Sequence, residues 1–306
     1  GRLTLPNGIT RWRQAWLDLA IGLQGIDPAG LCRRYGAVLQ CTGSPGILDL
    51  ALTLRGSPGE GLAFDQTLTG RGLALQPPGH SRPLALDRFR LAGKWLADHG
   101  LNHFDDLQLQ LNDLQLNGHI SFQAGEADPW LEGGLSTAKI PLTGIVRLLP
   151  DGTAGFSSLF HRQSLAGTLR LAYSRFAGPL SQFRQQSLSE AIKDATLYLD
   201  DGQLELERGP SIRAISLTAT WKDQQLTVSD GSAQILESPV QFSGKLNRPF
   251  DPRGTVEIGA GGVLHGGRLS ELLDNTWLHE LSVDGPIPLS ATLKGALADL
   301  QWSVQS

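Results

Sequence analysis

The chain has 306 residues, a net charge of −4, 18% charged and 40% hydrophobic residues, which excludes an intrinsically disordered protein. The scattered charges form no basic stripe, so we expect no nucleic-acid partner. Methionine is absent, so we interpret the chain as a processed product or an excised segment. No apolar run reaches the ~18 residues that a membrane helix needs, so we expect the segment to be soluble, with any anchor or targeting signal outside it.

The N-terminal segments give mixed signals. RWRQAWLDLAIGL (11–23) fits a helix or a strand, because its apolar residues satisfy both periods. Asp27-Pro28 predicts the start of a helix, with aspartate as N-cap and proline at the first helical position. Cys32 and Cys41, nine positions apart, would form a disulfide in an oxidising compartment if their Cα atoms lie within ~7 Å. Two unpaired, partly buried thiols are the alternative.

The next segments predict a strand and then a cluster of polar residues. LDLALTL (48–54) places leucine at every second position, as expected for a strand. His99 and His103 have the four-residue spacing that puts two metal ligands on one helix face. Gly100 between them argues against a helix. We therefore predict no metal site and no cofactor.

The stretch LQLQLNDLQLNGHISF (107–122) alternates leucine with glutamine or asparagine. Read at the two-residue period of a strand, Leu107, Leu109 and Leu111 point to one side and the amides to the other. Asn117-Gly118 then predicts a hairpin turn. The stretch therefore predicts a hairpin with one apolar and one polar face.

Helical signals are few in the rest of the chain. PLTGIVRLL (141–149) ends at a Pro-Asp-Gly stop signal, SLSEAIKDA (187–195) begins with a capping box, and RLSELLDNTWL (268–278) has amphipathic spacing. We predict a short peripheral helix in each.

The loop AGEADPWLEGG (124–134) is the best candidate for a seam. It predicts an N-terminal β region at 1–125, which contains the Asp27-Pro28 helix, and a C-terminal β-groove region at 126–306. One continuous domain is the alternative.

Alternating apolar residues also mark the C-terminal half, in GTLRLAY (167–173), ATLYLDDGQLELE (195–207), ISLTATW (215–221) and PLSATLKG (288–295). We interpret Asp200-Asp201 as the turn of a hairpin rather than as twin catalytic carboxylates. The glycine cluster at 259–267 lacks the spacing of a phosphate loop and is interpreted as a flexible strand junction. Together these segments predict a mainly β fold, an extended, curved antiparallel sheet with a few peripheral amphipathic helices.

The pattern over roughly residues 100 to 305 resembles the AsmA-like family of Gram-negative envelope proteins, which includes the TamB- and YhdP-type lipid transport proteins. The resemblance rests on LQLQLNDLQLNGHISF, ATLYLDDGQLELE, ISLTATWKDQQLTVSDGSAQILESPVQFSGKL and DGPIPLSATLKGALADLQW. It implies a β-groove that carries phospholipid through the periplasm, tethered to the inner membrane by a segment outside this chain. Residues 1 to 100 fit the pattern less well, since the Asp27-Pro28 helix and the cysteine pair have no counterpart in it, and no functional residue carries over individually.

We therefore expect a non-enzymatic lipid-binding or lipid-conduit protein. Its partners would be phospholipid or another acyl-chain lipid, and inner- and outer-membrane envelope proteins. A structural or interaction module of envelope assembly or secretion machinery, with a closed β core and no lipid, is the alternative. A carbohydrate-active enzyme is a third class, but it requires two carboxylates that converge in one cleft.

The predicted lining of the apolar groove shares one property, an apolar side chain in the same phase of its strand. It comprises Leu107, Leu109, Leu111, Leu169, Leu171, Leu197, Leu199, Leu204, Leu206, Leu217 and Trp221.

Overall fold

The alternating segments of the sequence are strands in the computed structural model of the protein, and the predicted mainly β fold with an extended, curved antiparallel sheet is confirmed. Among the described residues the helices are short, and none is long and apolar enough to cross a bilayer. The structure describes residues 2–4, 15–28, 46–75, 84–98, 100–123, 128–146, 164–184, 188–205, 211–249, 253–265, 285–296 and 299–305.

The elements follow one another in chain order as long strands with few interruptions. They are β1 (Arg2–Thr4), β2 (Trp16–Ile26), β3 (Ile47–Ser57), β4 (Gly61–Arg71), β5 (Leu73–Leu75), β6 (Leu84–Leu86), β7 (Phe89–Asp98), β8 (Leu101–Leu111), β9 (Leu114–Gln123), β10 (Trp130–Thr137), β11 (Ile140–Pro141), α1 (Leu142–Val146), β12 (Ser164–Pro179), α2 (Leu180–Arg184), α3 (Leu188–Ala191), β13 (Ile192–Glu205), β14 (Ile212–Lys222), β15 (Gln225–Ile235), β16 (Ser238–Asn247), β17 (Thr255–His265), β18 (Pro286–Ala296) and β19 (Asp299–Gln305).

The chain divides into two compact units. Unit 1 comprises residues 1–138 and 175–191, and unit 2 comprises residues 139–174 and 192–306. In unit 1, β2, β3, β4, β7, β8, β9 and β10 pair in this order as an antiparallel sheet, while β5 and β6 form a separate two-stranded sheet. In unit 2, β13 to β19 pair in chain order. The predicted domain boundary between residues 125 and 126 stays a prediction.

Aspartates with left-handed backbone mark irregularities in the strands. Asp106 in β8, Asp201 in β13 and Asp230 in β15 have φ of 51°, 52° and 51°, and the strand register shifts beside each of them. Aspartate tolerates this conformation better than most residues, and a β-bulge bends its strand and increases the twist. These bulges therefore contribute to the curvature of the sheet in each unit.

Both predicted hairpin turns are wrong. Asn117-Gly118 lies inside β9, and the turn between β8 and β9 is at Asn112-Asp113, where Asn112 has φ of 54°. Asp200-Asp201 lies inside β13, at the bulge. Asparagine, aspartate and glycine serve bulges and close backbone contacts as well as turns, so their presence alone does not locate a turn.

Other local predictions have mixed outcomes. The ambiguous segment at 11–23 is strand from Trp16 onward. The helix predicted at 187–195 ends at Ala191, because the alternating strand β13 already begins at Ile192. The glycine cluster continues strand β17 to His265 rather than forming a junction, and the predicted seam is strand from Trp130 onward. Several predictions lie outside the described residues: the helix at 268–278, most of the helix that starts at Asp27-Pro28, the end of the helix at 141–149, His99, Leu206, Cys32 and Cys41.

Candidate functional site: the apolar sheet faces

Unit 1 carries a row of leucines on one face of its sheet. One leucine from each of β2, β3, β4, β7, β8 and β9 lies directly opposite the next, so all of them point to the same side. With neighbouring strands ~4.8 Å apart, the row is about 24 Å long and runs across the strands. We call it the leucine row: Leu23, Leu50, Leu68, Leu91, Leu109 and Leu116.

An aromatic pair lies beside the leucine row on the same face. Phe64 and Trp95 are directly opposite in β4 and β7, and their rings stack with centroids 5.2 Å apart. The indole Nε1–H of Trp95 donates a hydrogen bond of 3.0 Å to Oδ1 of the buried Asn102. This bond fixes the indole and satisfies its only polar group, so its ring adds to the apolar surface.

The leucine row is only partly covered. Leu50, Leu68, Leu91, Leu109 and Leu116 are all half-buried, and Leu23 on β2 is 47% exposed. A leucine between two paired strands loses part of its surface to lateral neighbours alone, whereas a second packed layer would bury it. Among the described residues, no continuous layer therefore lies over the row.

One end of this face is covered by the small sheet of β5 and β6. A side-chain carbon at Gly70 would lie 2.7 Å from the Cδ1 atom of Leu73, which shows that Leu73 sits directly over Gly70. Leu73 and Leu86 are 7% and 1% exposed. The β5–β6 sheet thus covers the end of the face near Leu48, whereas the leucines of the central row are half-buried.

The apolar face of unit 2 is covered in one part by a helix. Leu142 of α1 packs in a buried cluster with Leu199, Ile215 and Ala233, whose side chains are at most 9% exposed. Ile145, one helical turn further along α1, adds to the contact. Here the protein supplies its own covering layer.

The structure brings the predicted lining residues together in two places. Leu107, Leu109 and Leu111 lie on β8 in unit 1, where Leu107 is buried opposite Gly118. The others that the structure describes lie in unit 2. Leu169, Leu204 and Leu217 border the buried cluster with Leu199, Leu197 lies opposite Ala219, Trp221 lies opposite Ala195, and Leu171 lies half-buried in β12.

Trp221 has a structural role in unit 2. Its side chain is 5% exposed, and its Nε1–H donates a hydrogen bond of 3.1 Å to the backbone carbonyl of Ile192. A buried indole with its donor satisfied is a typical core residue. Trp221 is therefore less accessible to a ligand than the leucine row.

The predicted lining contained only Leu109 of the leucine row and omitted the other five leucines, Leu23, Leu50, Leu68, Leu91 and Leu116. The alternation of apolar and polar residues is weak in β4 and β7. Positions on the apolar face of these strands are occupied by Gln66, Gly70 and Gly93, which interrupt the pattern. Only the strand register reveals that the leucines form one row.

The opposite face of unit 1 is polar and contains a concave pocket of 640 Å³. Its lining includes Thr53, Asp65, Arg90, Lys94 and Asp106. Nζ of Lys94 donates a hydrogen bond of 3.0 Å to Oδ2 of Asp106, and this bond, with the carboxylate's charge, raises the pKa of Lys94. The two faces of the same sheet thus differ sharply in chemistry.

Candidate catalytic groups do not converge within the part of the chain that the structure describes. Nδ1 of His103 lies 2.8 Å from Oγ of Ser121, and Oδ2 of Asp200 lies 2.9 Å from Nζ of Lys139. Each of these contacts joins one pair of side chains. Among the described residues, no group of three or more His, Cys, Asp or Glu side chains is placed to hold a metal ion.

Comparison of the chain with protein-family models, with curated proteins and with solved structures finds no match.

Proposed function

We propose that the protein binds phospholipid through its apolar sheet faces and acts as a non-catalytic lipid-binding or lipid-conduit segment of the bacterial envelope. The observation that carries this proposal is the half-buried leucine row of unit 1. The periplasmic setting and the envelope partners are supported by the resemblance to AsmA-like proteins. The continuous groove that would join the predicted lining residues is part of the same proposal.

The dimensions and chemistry of the row suit an acyl chain. The hydrocarbon core of a bilayer is ~30 Å thick, so one leaflet's acyl chain spans about 15 Å, which is shorter than the row. Each methylene that leaves water contributes about 0.8 kcal/mol. Leucines offer such a chain an apolar track with no hydrogen-bonding demand, and the headgroup keeps its water at the open side.

The structural or interaction module remains the second candidate, and the cluster around Leu142 favours it. Leu199, Ile215 and Ala233 are covered by α1 and form a dry core. If the whole apolar surface were closed in this way, no lipid would reach it. The two candidates therefore differ in the access of lipid to the leucine row.

A pair of adjacent residues in β9 tests this access. Leu116 belongs to the leucine row, and Gln115 is exposed on the opposite face. A photo-crosslinking residue (p-benzoylphenylalanine) is placed at either position, and the protein is irradiated with phosphatidylethanolamine vesicles. We expect lipid adducts from position 116 and few from position 115. Equal yields at both positions, or none at either, would contradict the proposal.

A further inference from the structure

A pocket of 220 Å³ interrupts the apolar face of unit 2 where β15, β16, β17 and β18 meet. The pocket exists because small residues occupy strand positions whose side chains point to the apolar face. Gly262 lies between Val240 and Leu289 on the neighbouring strands, and Ala260 lies opposite Ala291. The neighbouring row carries Ile258 and Leu293 instead. The depression is thus encoded by a local run of glycine and alanine.

The pocket contains one polar side chain. Ser238 lines it and is 3% exposed, and its Oγ finds no hydrogen-bond partner in the part of the chain that the structure describes. Buried hydroxyl groups are nearly always paired, because an unpaired one has lost its hydrogen bonds to water. The unpaired Ser238 hydroxyl can therefore donate a hydrogen bond to a ligand that combines an apolar body with one hydrogen-bond acceptor.

The absence of charged residues from the described lining indicates which kind of hydrogen-bond acceptor the ligand carries. Apart from Ser238, all described residues that line the pocket are apolar and uncharged, among them Val240, Leu264 and Leu289. A carboxylate bound here would lack a cation, which is costly in an apolar site. A neutral carbonyl needs only one donor, and the Ser238 hydroxyl supplies it.

We propose that this pocket holds one acyl chain of a phospholipid, with Oγ of Ser238 donating a hydrogen bond to the ester carbonyl of that chain. The volume of 220 Å³ accommodates about seven water-sized groups, which matches a segment of one chain rather than two chains side by side. The inference rests on the proposed function and adds a specific site to it.

The hydrogen bond is tested by comparing two lipids and one conservative variant. The probes are a diacyl phosphatidylcholine and its diether analogue, which has the same chains and headgroup but no ester carbonyl. We expect the wild-type protein to bind the ester lipid about three- to tenfold more tightly, in line with one hydrogen bond. Ser238→Ala should erase this difference and leave the binding of the ether lipid unchanged. Equal binding of both lipids by the wild type, or tighter binding of palmitate than of phosphatidylcholine, would overturn the assignment.

The pocket itself is tested by filling it. Ala291→Trp places a large side chain in the pocket, and Thr292→Trp places the same side chain on the opposite, exposed face of β18. Ala291→Leu is the smaller variant for the case in which tryptophan disturbs the fold, and thermal unfolding verifies each protein. We expect a diazirine-labelled acyl chain of phosphatidylcholine to crosslink to peptides of β16 to β18 in the wild type and in Thr292→Trp, but not in the Ala291 variants.

The outcomes separate this inference from the proposed function. If lipid is captured at position 116 but crosslinking to β16 to β18 is unchanged in the Ala291 variants, the assignment of the pocket is wrong and the proposed function stands. Absence of lipid capture at both places would overturn both. Loss of capture at the pocket alone in the Ala291 variants is the result that we expect.

Discussion

Replacing Leu199 by aspartate tests where the protein already covers its own apolar face. Leu199 is 9% exposed and packs against Leu142, Ile215 and Ala233. Removing such a leucine side chain alone costs about 2–5 kcal/mol, and an unpaired buried carboxyl adds several more. A natural domain is stable by only ~5–15 kcal/mol, so Leu199→Asp should leave unit 2 marginally stable or unfolded at pH 7.

The comparison variant is Leu109→Asp in the leucine row. Leu109 is half-buried on a face over which the described residues place no continuous layer, so we expect an introduced carboxylate to keep much of its water. We expect the free energy of unfolding to fall by about 1–2 kcal/mol, mainly because the apolar surface that the Leu109 side chain buries is lost. Urea unfolding followed by tryptophan fluorescence gives both free energies, with Leu199→Ala and Gln115→Asp as references.

The pH dependence gives a second readout for Leu199→Asp. Burial disfavours the charged form and raises the pKa of the introduced carboxyl above its unfolded value of ~3.9. The folded state then binds more protons than the unfolded state. The variant is therefore least destabilised below pH ~3.9 and loses stability as the pH rises from there through the raised pKa of the folded state. Equal losses in Leu199→Asp and Leu109→Asp, with no pH dependence in either, would refute the distinction between a covered and an open apolar face.

Three further predictions concern local structure. Gly118→Ala should destabilise unit 1 by about 1–3 kcal/mol in urea unfolding, because the new Cβ would collide with a backbone carbonyl of β10. The control is Gly259→Ala, whose Cβ would meet no atom within 4 Å and which should be neutral or stabilising by ~0.5 kcal/mol. At the left-handed Asp201, a valine should cost about 1–2 kcal/mol and a glycine almost nothing in thermal unfolding; equal effects would contradict the bulge conformation. If the protein is exported, thiol counting under denaturing, non-reducing conditions should find Cys32 and Cys41 bridged, and two reactive thiols would reject the disulfide.

The fold class was predictable because one simple signal recurs along the chain. Alternation of leucine with polar residues specifies a strand and its two faces, and it even placed Leu199 and Leu204 on the same side. The reasoning for that pair was wrong in detail, since a bulge rather than a turn joins them. A bulge inserts one residue and so restores the same face, as a turn would.

The leucine row and the Ser238 pocket were not predictable from the sequence. Both depend on register, which decides that Leu68 and Leu91 lie opposite each other and that Gly262 lies between Val240 and Leu289. A shift of one residue would move each of these side chains to the other face. The contact of α1 with Leu199 joins residues that are far apart in the sequence, so local sequence patterns do not predict it.

Mass spectrometry of an organic extract from the purified protein shows directly whether the protein carries phospholipid. The protein should be isolated without detergent, and the Leu109→Asp variant should be isolated in parallel. We expect phospholipid to co-purify with the wild type in near-stoichiometric amount and to be strongly reduced in the folded Leu109→Asp variant. A folded wild-type protein whose extract contains no acyl lipid would contradict this expectation.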